Sequence, residues 1–204
     1  RVTRACRDGQ LAPLRSMLDT IGQMVAGEAI QLEMRHAFTP DRKRYLQVVD
    51  GKTASLFRWA LCAPALLDNN RHAGTLAEVG SALGLAFQLI DDALDFADSS
   101  DSSGKDLLAD LSQGKATWPV IIACERIPTL MGEIAAAAHT HPKGAAATTA
   151  SLVEQIRSSG GIEETYAFAE EQHQRALMAL SQLPGTPARA ALHAVIDAAI
   201  HRAA

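Results

Sequence analysis

Between Asp91 and Asp110 the chain places seven aspartates, at 91, 92, 95, 98, 101, 106 and 110, with Lys105 the one cation among them. The front of this cluster reads Phe87-Gln88-Leu89-Ile90-Asp91-Asp92-Ala93-Leu94-Asp95. So dense an acidic patch on an otherwise apolar segment is costly unless something positive neutralises it. Gln88, Asp91 or Asp92, and Asp95 recur every three to four residues, so a helix carries them on one face. Short carboxylates stacked in this way, framed by Leu89, Ile90, Leu94 and Phe96, make a platform for hard divalent cations. Mg²⁺ suits it best, because that ion takes one or two carboxylates, keeps several waters and completes its shell with phosphate oxygens.

The lysines point the same way. Only five of the 19 basic residues are lysine, and three of the five follow a glycine: Gly51-Lys52, Gly104-Lys105 and Gly114-Lys115. Lysine is a compact charge with three donors and a common phosphate partner. Thr53 adds a hydroxyl beside Lys52, at a place where Gly51 costs a helix about 1 kcal/mol relative to Ala. Taken singly, each lysine is as readily a solvated surface charge. Grouped around one acidic segment, Lys52, Lys105 and Lys115 suggest a diphosphate site. Metal and lysines together would then clamp the charge that develops on a departing diphosphate. Apolar helix walls would keep water from any carbocation.

These residues need helices to position them, and the hydrophobic period is helical nearly throughout. Leu11, Leu14, Leu18, Ile21 and Val25 hold a helix toward His36. Thr39-Pro40 reads as a helix start, continued by Tyr45, Val48, Val49, Leu56 and Leu61 toward Pro64. After a turn at Asp68-Asn69-Asn70, a long apolar helix is predicted from about Ala73 to Phe96. The Ser-rich stretch 98–104 reads as a loop in which Asp98 and Asp101 are solvating. Lys115 to Ile127 is predicted helical with Pro119 in the first turn, and three or four amphipathic helices follow, broken at His141-Pro142, Gly160-Gly161 and Pro184-Gly185. The expected fold is all-α, an antiparallel helix bundle forming a single domain over 1–204.

Composition excludes several classes. Aromatics are 4% of the chain, the net charge is −4 and the pI is near 6.0, so there is neither a stacking platform nor a basic stripe for nucleic acid. No apolar run is expected to be long enough to span a bilayer, and no signal-peptide pattern opens the chain. Cys6, Cys62 and Cys124 fit neither a disulfide framework nor a zinc site and are expected to be reduced thiols of a cytoplasmic protein. His139 and His141 read as loop residues, and His36, His72, His173, His193 and His201 as scattered polar-face histidines. Trp59 and Trp118 read as core or interface residues. Glu28 and Gln31 share a helix face, where a structural hydrogen bond is as good a reading as a catalytic role.

The string Phe87 to Asp95, followed by Gly104-Lys105-Asp106, Asp110-Leu111 and Gly114-Lys115-x-Thr117-x-Pro119, resembles the second aspartate-rich region of the trans-polyprenyl diphosphate synthases. Lys52-Thr53 is similar to that family's upstream Lys-Thr pair, and Gly27-Glu28-Ala29-Ile30-Gln31 to the helix before it. The order and spacing hold from about residue 20 onward, in the manner of the bacterial octaprenyl-type, long-chain members. The resemblance implies head-to-tail condensation of isopentenyl diphosphate with an allylic prenyl diphosphate, with Mg²⁺ as cofactor and a homodimer as the assembly. It implies Asp91, Asp92 and Asp95 as metal ligands, and Lys52, Lys105 and Lys115 as contacts of the allylic diphosphate. Thr53 and Gln88 would lie near the reaction centre, Phe87 would set the Gln88 helix against the core, and Asp106 would assist the metal through water.

The family has two aspartate-rich motifs, and this chain has one Asp-Asp-x-x-Asp. Phe-Gln precedes it, Gly-Lys-Asp follows and Lys-Thr lies upstream, so it corresponds to the second. The helices that carry the first are expected to be missing, and the chain alone is expected not to turn over. Leu107-Leu108 and Trp118 are smaller departures, at positions where smaller or aliphatic residues are expected. The competing classes are a non-catalytic partner subunit of a heteromeric synthase and a related Mg²⁺-dependent terpene synthase.

Overall fold

The computed structural model describes residues 11–67, 71–97, 115–138 and 142–201. The described residues are mostly helical, with no strand among them. In chain order the helices are α1 (Ala12–Ala37), α2 (Arg42–Val49), a π-helical turn (Asp50–Ala54), α3 (Ser55–Leu67), α4 (Ala73–Ala97), α5 (Trp118–Arg126), α6 (Leu130–Ala138), α7 (Pro142–Ser158), α8 (Gly161–Ser181) and α9 (Pro187–Ile200). The all-α expectation holds. The turn at 68–70, the loop at 98–104, Lys105, Asp106, Leu107, Leu108, His139, His141 and Cys6 lie outside the described residues.

Local chemistry sets the helix ends. Thr39-Pro40 does not start α2. Asp41 does, its carboxylate accepting from the Arg44 amide at 2.6 Å in an N-cap arrangement. α5 begins at Trp118 rather than Lys115, because Pro119 is tolerated only in the first turn and Thr117 is extended. α3 runs three residues past Pro64, giving up one backbone bond instead of ending there. Gly160, at φ +75°, sits in the left-handed conformation that closes a helix C-terminus after α7. Thr186 caps α9 by accepting from the Arg189 amide at 3.2 Å, with Pro187 at the first helical position.

The chain clusters into two compact units, each discontinuous in sequence. The first comprises Arg1–Glu28, Val48–Gln88 and Ala169–Ala204. Its core joins Val79, Ala82 and Leu83 of α4 to Ala176, Ala179 and Leu180 of α8 and Ile196 of α9, with Phe57 and Leu61 of α3 against it. The second comprises Ala29–Gln47 and Leu89–Phe168. Phe96 packs there with Val120, Ala123, Leu130, Ile134, Leu152, Val153 and Ile156. Each of these large buried side chains contributes about 1.5–3 kcal/mol of transfer free energy.

One sequence expectation needs correction. The segment Ala73–Phe96, 24 residues, is long and apolar enough to cross a bilayer by length and composition. It is nonetheless a core helix. Val79, Ala82, Leu83, Ala86, Leu89, Ile90, Ala93 and Phe96 along it are all buried within the protein.

Candidate active site

One candidate cluster, in the first compact unit, forms where α2 passes into α3. Over Asp50–Ala54 the helix widens into one π turn, and the Ser55 amide reaches back five residues to the Asp50 carbonyl. The buried Ser55 hydroxyl donates to the Gly51 carbonyl at 2.6 Å. Such single-turn bulges insert a residue and re-aim side chains. This one carries Lys52 and Thr53.

Glycines let the neighbouring helices come up against it. A Cβ on Gly27 of α1 would lie 2.8 Å from the Lys52 amide nitrogen, and one on Gly51 would lie 2.8 Å from the Gln23 carbonyl oxygen. On the α4 side, a Cβ on Gly84 would lie 2.6 Å from Ala54 Cα, and one on Gly80 would lie 2.6 Å from Arg58 Cα. These backbones therefore touch. The contact brings Gln88 of α4 to the turn, where Thr53 Oγ1 donates to Gln88 Oε1 at 3.0 Å. Phe87 packs on Phe57 with ring centroids 5.4 Å apart, as expected of a residue that seats α4. Lys52 Nζ pairs with Glu28 Oε2 at 2.7 Å. For Glu28 the sequence left a structural hydrogen bond and a catalytic role both open; its partner is a candidate site lysine.

A second candidate cluster, in the other compact unit, is the acidic stretch of α4. Asp91 and Asp95, one turn apart, are exposed, whereas Asp92 is buried. Tyr45 Oη donates to Asp92 Oδ2 at 2.6 Å, and the Trp118 amide lies 3.4 Å from the same oxygen. Burial, reinforced by the Asp92 charge, pushes the Tyr45 hydroxyl well above its ordinary pKa, so it stays a donor. The Trp118 ring packs between Tyr45, at 5.1 Å, and Phe168, at 5.0 Å, with the Arg42 guanidinium 5.3 Å from its centroid. Arg42 is held in turn by Glu125 at 2.6 Å and Glu164 at 2.9 Å. The buried Trp118 indole N–H has no hydrogen-bond partner among the described residues, and the ring acts there by packing. Lys115 is half-buried just before α5.

Among the described residues no three His, Cys, Asp or Glu side chains form a ready-made metal cage. Two exposed carboxylates on one helix face fit Mg²⁺ better than an ion that demands a full protein shell, since Mg²⁺ is content with one or two carboxylates plus water and phosphate oxygens.

Sequence reasoning missed Tyr45, which it read only as part of an apolar period. A tyrosine on a buried helix face is itself a signal, because its hydroxyl must find a partner. It also misread His173. That side chain is buried, with Nε2 2.9 Å from Asp197 Oδ1 and Nδ1 3.4 Å from Glu170 Oε1. Cys62 and Cys124 are free, and burial pushes the Cys124 thiol up to about 11. Trp118 is core, as expected.

The comparisons with known proteins give the family. Residues 4–156 match the model of the polyprenyl synthetase family. The chain is 32% identical to the octaprenyl diphosphate synthase of Escherichia coli over 198 residues, covering 95% of this chain and 60% of that protein. It is 36% identical to the mitochondrial solanesyl-diphosphate synthase 1 of rice over 170 residues, 82% of this chain and 38% of that one. A polyprenyl synthase of Caulobacter crescentus, solved with calcium and isoprenyl diphosphate, superposes with a TM-score of 0.80 at 29% identity, over 94% of this chain and 59% of its own. The chain belongs to the polyprenyl synthetase family. It spans roughly 40–60% of the length of the curated relatives it matches.

Proposed function

We propose that this chain is part of a prenyltransferase that condenses isopentenyl diphosphate head-to-tail with an allylic prenyl diphosphate to give a longer all-trans polyprenyl diphosphate. The observation that carries the reading is the Thr53–Gln88 pair. A π turn bearing Lys52 and Thr53 is bonded to the helix that continues, within two turns, into Asp91, Asp92 and Asp95.

In this reading Lys52, Lys105 and Lys115 bind the allylic diphosphate and balance its charge as the C–O bond breaks. Oxygens of Thr53 and Gln88 face the cationic carbon that is left, and the double bond of isopentenyl diphosphate attacks it before a proton departs. Bound Mg²⁺ would supply Lewis acidity toward the leaving diphosphate, with the exposed Asp91 and Asp95 as the carboxylates to hold it and Asp92, the third ligand the resemblance implied, turned inward to Tyr45 instead. Asp91 and Asp95 are the exposed pair of the three.

A homodimer is part of the proposal. Leu18, Ile21 and Val25 stand 60%, 45% and 65% exposed on α1, spaced as one stripe of a helix face. A cytoplasmic location is proposed on the free thiols Cys62 and Cys124, which suit a reducing compartment; cell fractionation checks it.

The test uses the full-length protein with Mg²⁺, farnesyl diphosphate and labelled isopentenyl diphosphate. A longer prenyl product is expected. Asp91→Ala is expected to lower turnover about 10³-fold or more while helicity stays normal. Near-wild-type turnover of that variant in saturating Mg²⁺ would sink the assignment.

A further inference from the structure

Resting on the prenyltransferase reading, we infer that Tyr45 is a positioning residue for the metal-binding turn of α4, holding Asp92 so that Asp91 and Asp95 are presented to Mg²⁺ and diphosphate.

The argument starts from Asp92. A carboxylate only 2% exposed needs donors, and its Oδ2 receives a short bond from Tyr45 Oη at 2.6 Å and a long one from the Trp118 amide at 3.4 Å. Asp92 follows Asp91 directly and precedes Asp95 by less than one turn. Fixing the Asp92 side chain on the buried face therefore fixes the rotation of α4 about its own axis at this level. Successive residues of a helix differ by about 100° in direction. With Asp92 turned inward, Asp91 and Asp95 must point elsewhere, and both are exposed.

Tyr45 is itself immobilised. It is 6% exposed, and its ring packs on Trp118, which packs on Phe168. Trp118 stands at one of the positions where the family resemblance led to the expectation of a smaller or aliphatic residue. Here it forms the middle of a three-ring strut that ends on a carboxylate of the acidic motif. The phenol hydroxyl is the one side-chain polar atom of the strut that reaches Asp92, and it makes the shorter of the two bonds there. A ring chosen for packing alone would not need it.

Tyr45→Phe removes that hydroxyl and keeps the volume. The full-length protein and this variant are compared in three measurements: thermal unfolding without metal, calorimetric titration of inorganic pyrophosphate in the presence of Mg²⁺, and the Mg²⁺ dependence of turnover. The variant is expected to fold. Its affinity for Mg²⁺-pyrophosphate is expected to fall at least fivefold, and its half-saturating Mg²⁺ concentration to rise by a similar factor. Trp118→Leu, which loosens the strut but keeps the hydroxyl, is expected to shift both in the same direction by less. Unchanged pyrophosphate affinity and Mg²⁺ dependence in Tyr45→Phe, with a lowered melting temperature alone, would show that Tyr45 only supports the fold. If the wild-type protein binds Mg²⁺-pyrophosphate but forms no prenyl product, the prenyltransferase reading fails, and the titration still decides the role of Tyr45.

Discussion

Thr53 donates a hydrogen bond to Gln88 across 3.0 Å, joining a π turn to the helix that carries the acidic motif. The two residues lie 35 positions apart and meet because Gly80 and Gly84 let α4 lie against the backbone of Arg58 and Ala54. The bond fixes where the two polar oxygens sit relative to each other. That is the preorganisation a short-lived cation would need.

Thr53→Val keeps the shape and deletes the donor. In the full-length protein, on the proposed reaction, it is expected to lower kcat about 10- to 100-fold, or about 1.4–2.8 kcal/mol of barrier. Gln88→Leu should act through the same contact, so the double variant is expected to lose much less than the product of the two single effects. Steady-state kinetics on the four proteins measures this. Fully multiplicative losses would show that the bond is not what matters.

Two glycines of α1 should respond oppositely to alanine. Among the described residues nothing lies within 4 Å of a Cβ on Gly22, so Gly22→Ala gains helix propensity and is expected to stabilise by about 0.5–1 kcal/mol. A Cβ on Gly27 meets the Lys52 amide nitrogen at 2.8 Å, so α1 and the π turn must separate. Gly27→Ala is expected to destabilise by about 1–3 kcal/mol. Chemical denaturation of both variants tests the pair.

The exposed stripe on α1 gives a prediction for assembly. Val25→Asp, or Leu18→Arg, places a charge on the most exposed part of that stripe. If two copies meet there, sedimentation should show the dimer converting to monomer at unchanged helicity. A dimer that tolerates both charges must use another surface.

Acid should loosen the packing of α9. The hydrogen bond from His173, with help from the charge of His193, holds the Asp197 carboxyl below its ordinary range. A lowered folded pKa means that the stabilisation is fully present above the unfolded value, about pH 4, and is lost as pH falls through the folded value. Asp197→Asn should therefore melt earlier than wild type at pH 6, and the gap should close below about pH 4. A gap that persists at low pH would mean that the carboxylate charge is not the source.

Much of the site was legible because its chemistry is local. Asp91, Asp92, Asp95 and Gln88 lie on one helical period, and Gly51 stood out as a poor residue for a helix interior. The reason for that glycine was not legible. Its Cβ is excluded by a carbonyl of α1, and no local pattern reveals a neighbour 28 positions away. The same holds for Asp92. One period placed it beside Asp91 and Asp95, but its burial depends on Tyr45 and Trp118, which come from distant parts of the chain. Helix ends were misplaced at 39–42 and 115–118 because capping by Asp41 and the first-turn rule for Pro119 overrode the hydrophobic pattern.

The π turn also makes chain length a constraint of its own between Asp50 and Ala54. A π turn holds one residue more than the α-helix around it would need. Deleting a single residue there would let α2 run into α3 as one regular helix, and everything beyond the cut would rotate by about 100°. Thr53 would turn away from Gln88 even if both residues were kept. Insertions and deletions in this stretch should therefore be rejected as strongly as substitutions of Lys52 or Thr53, although the helix itself would be more regular for losing a residue.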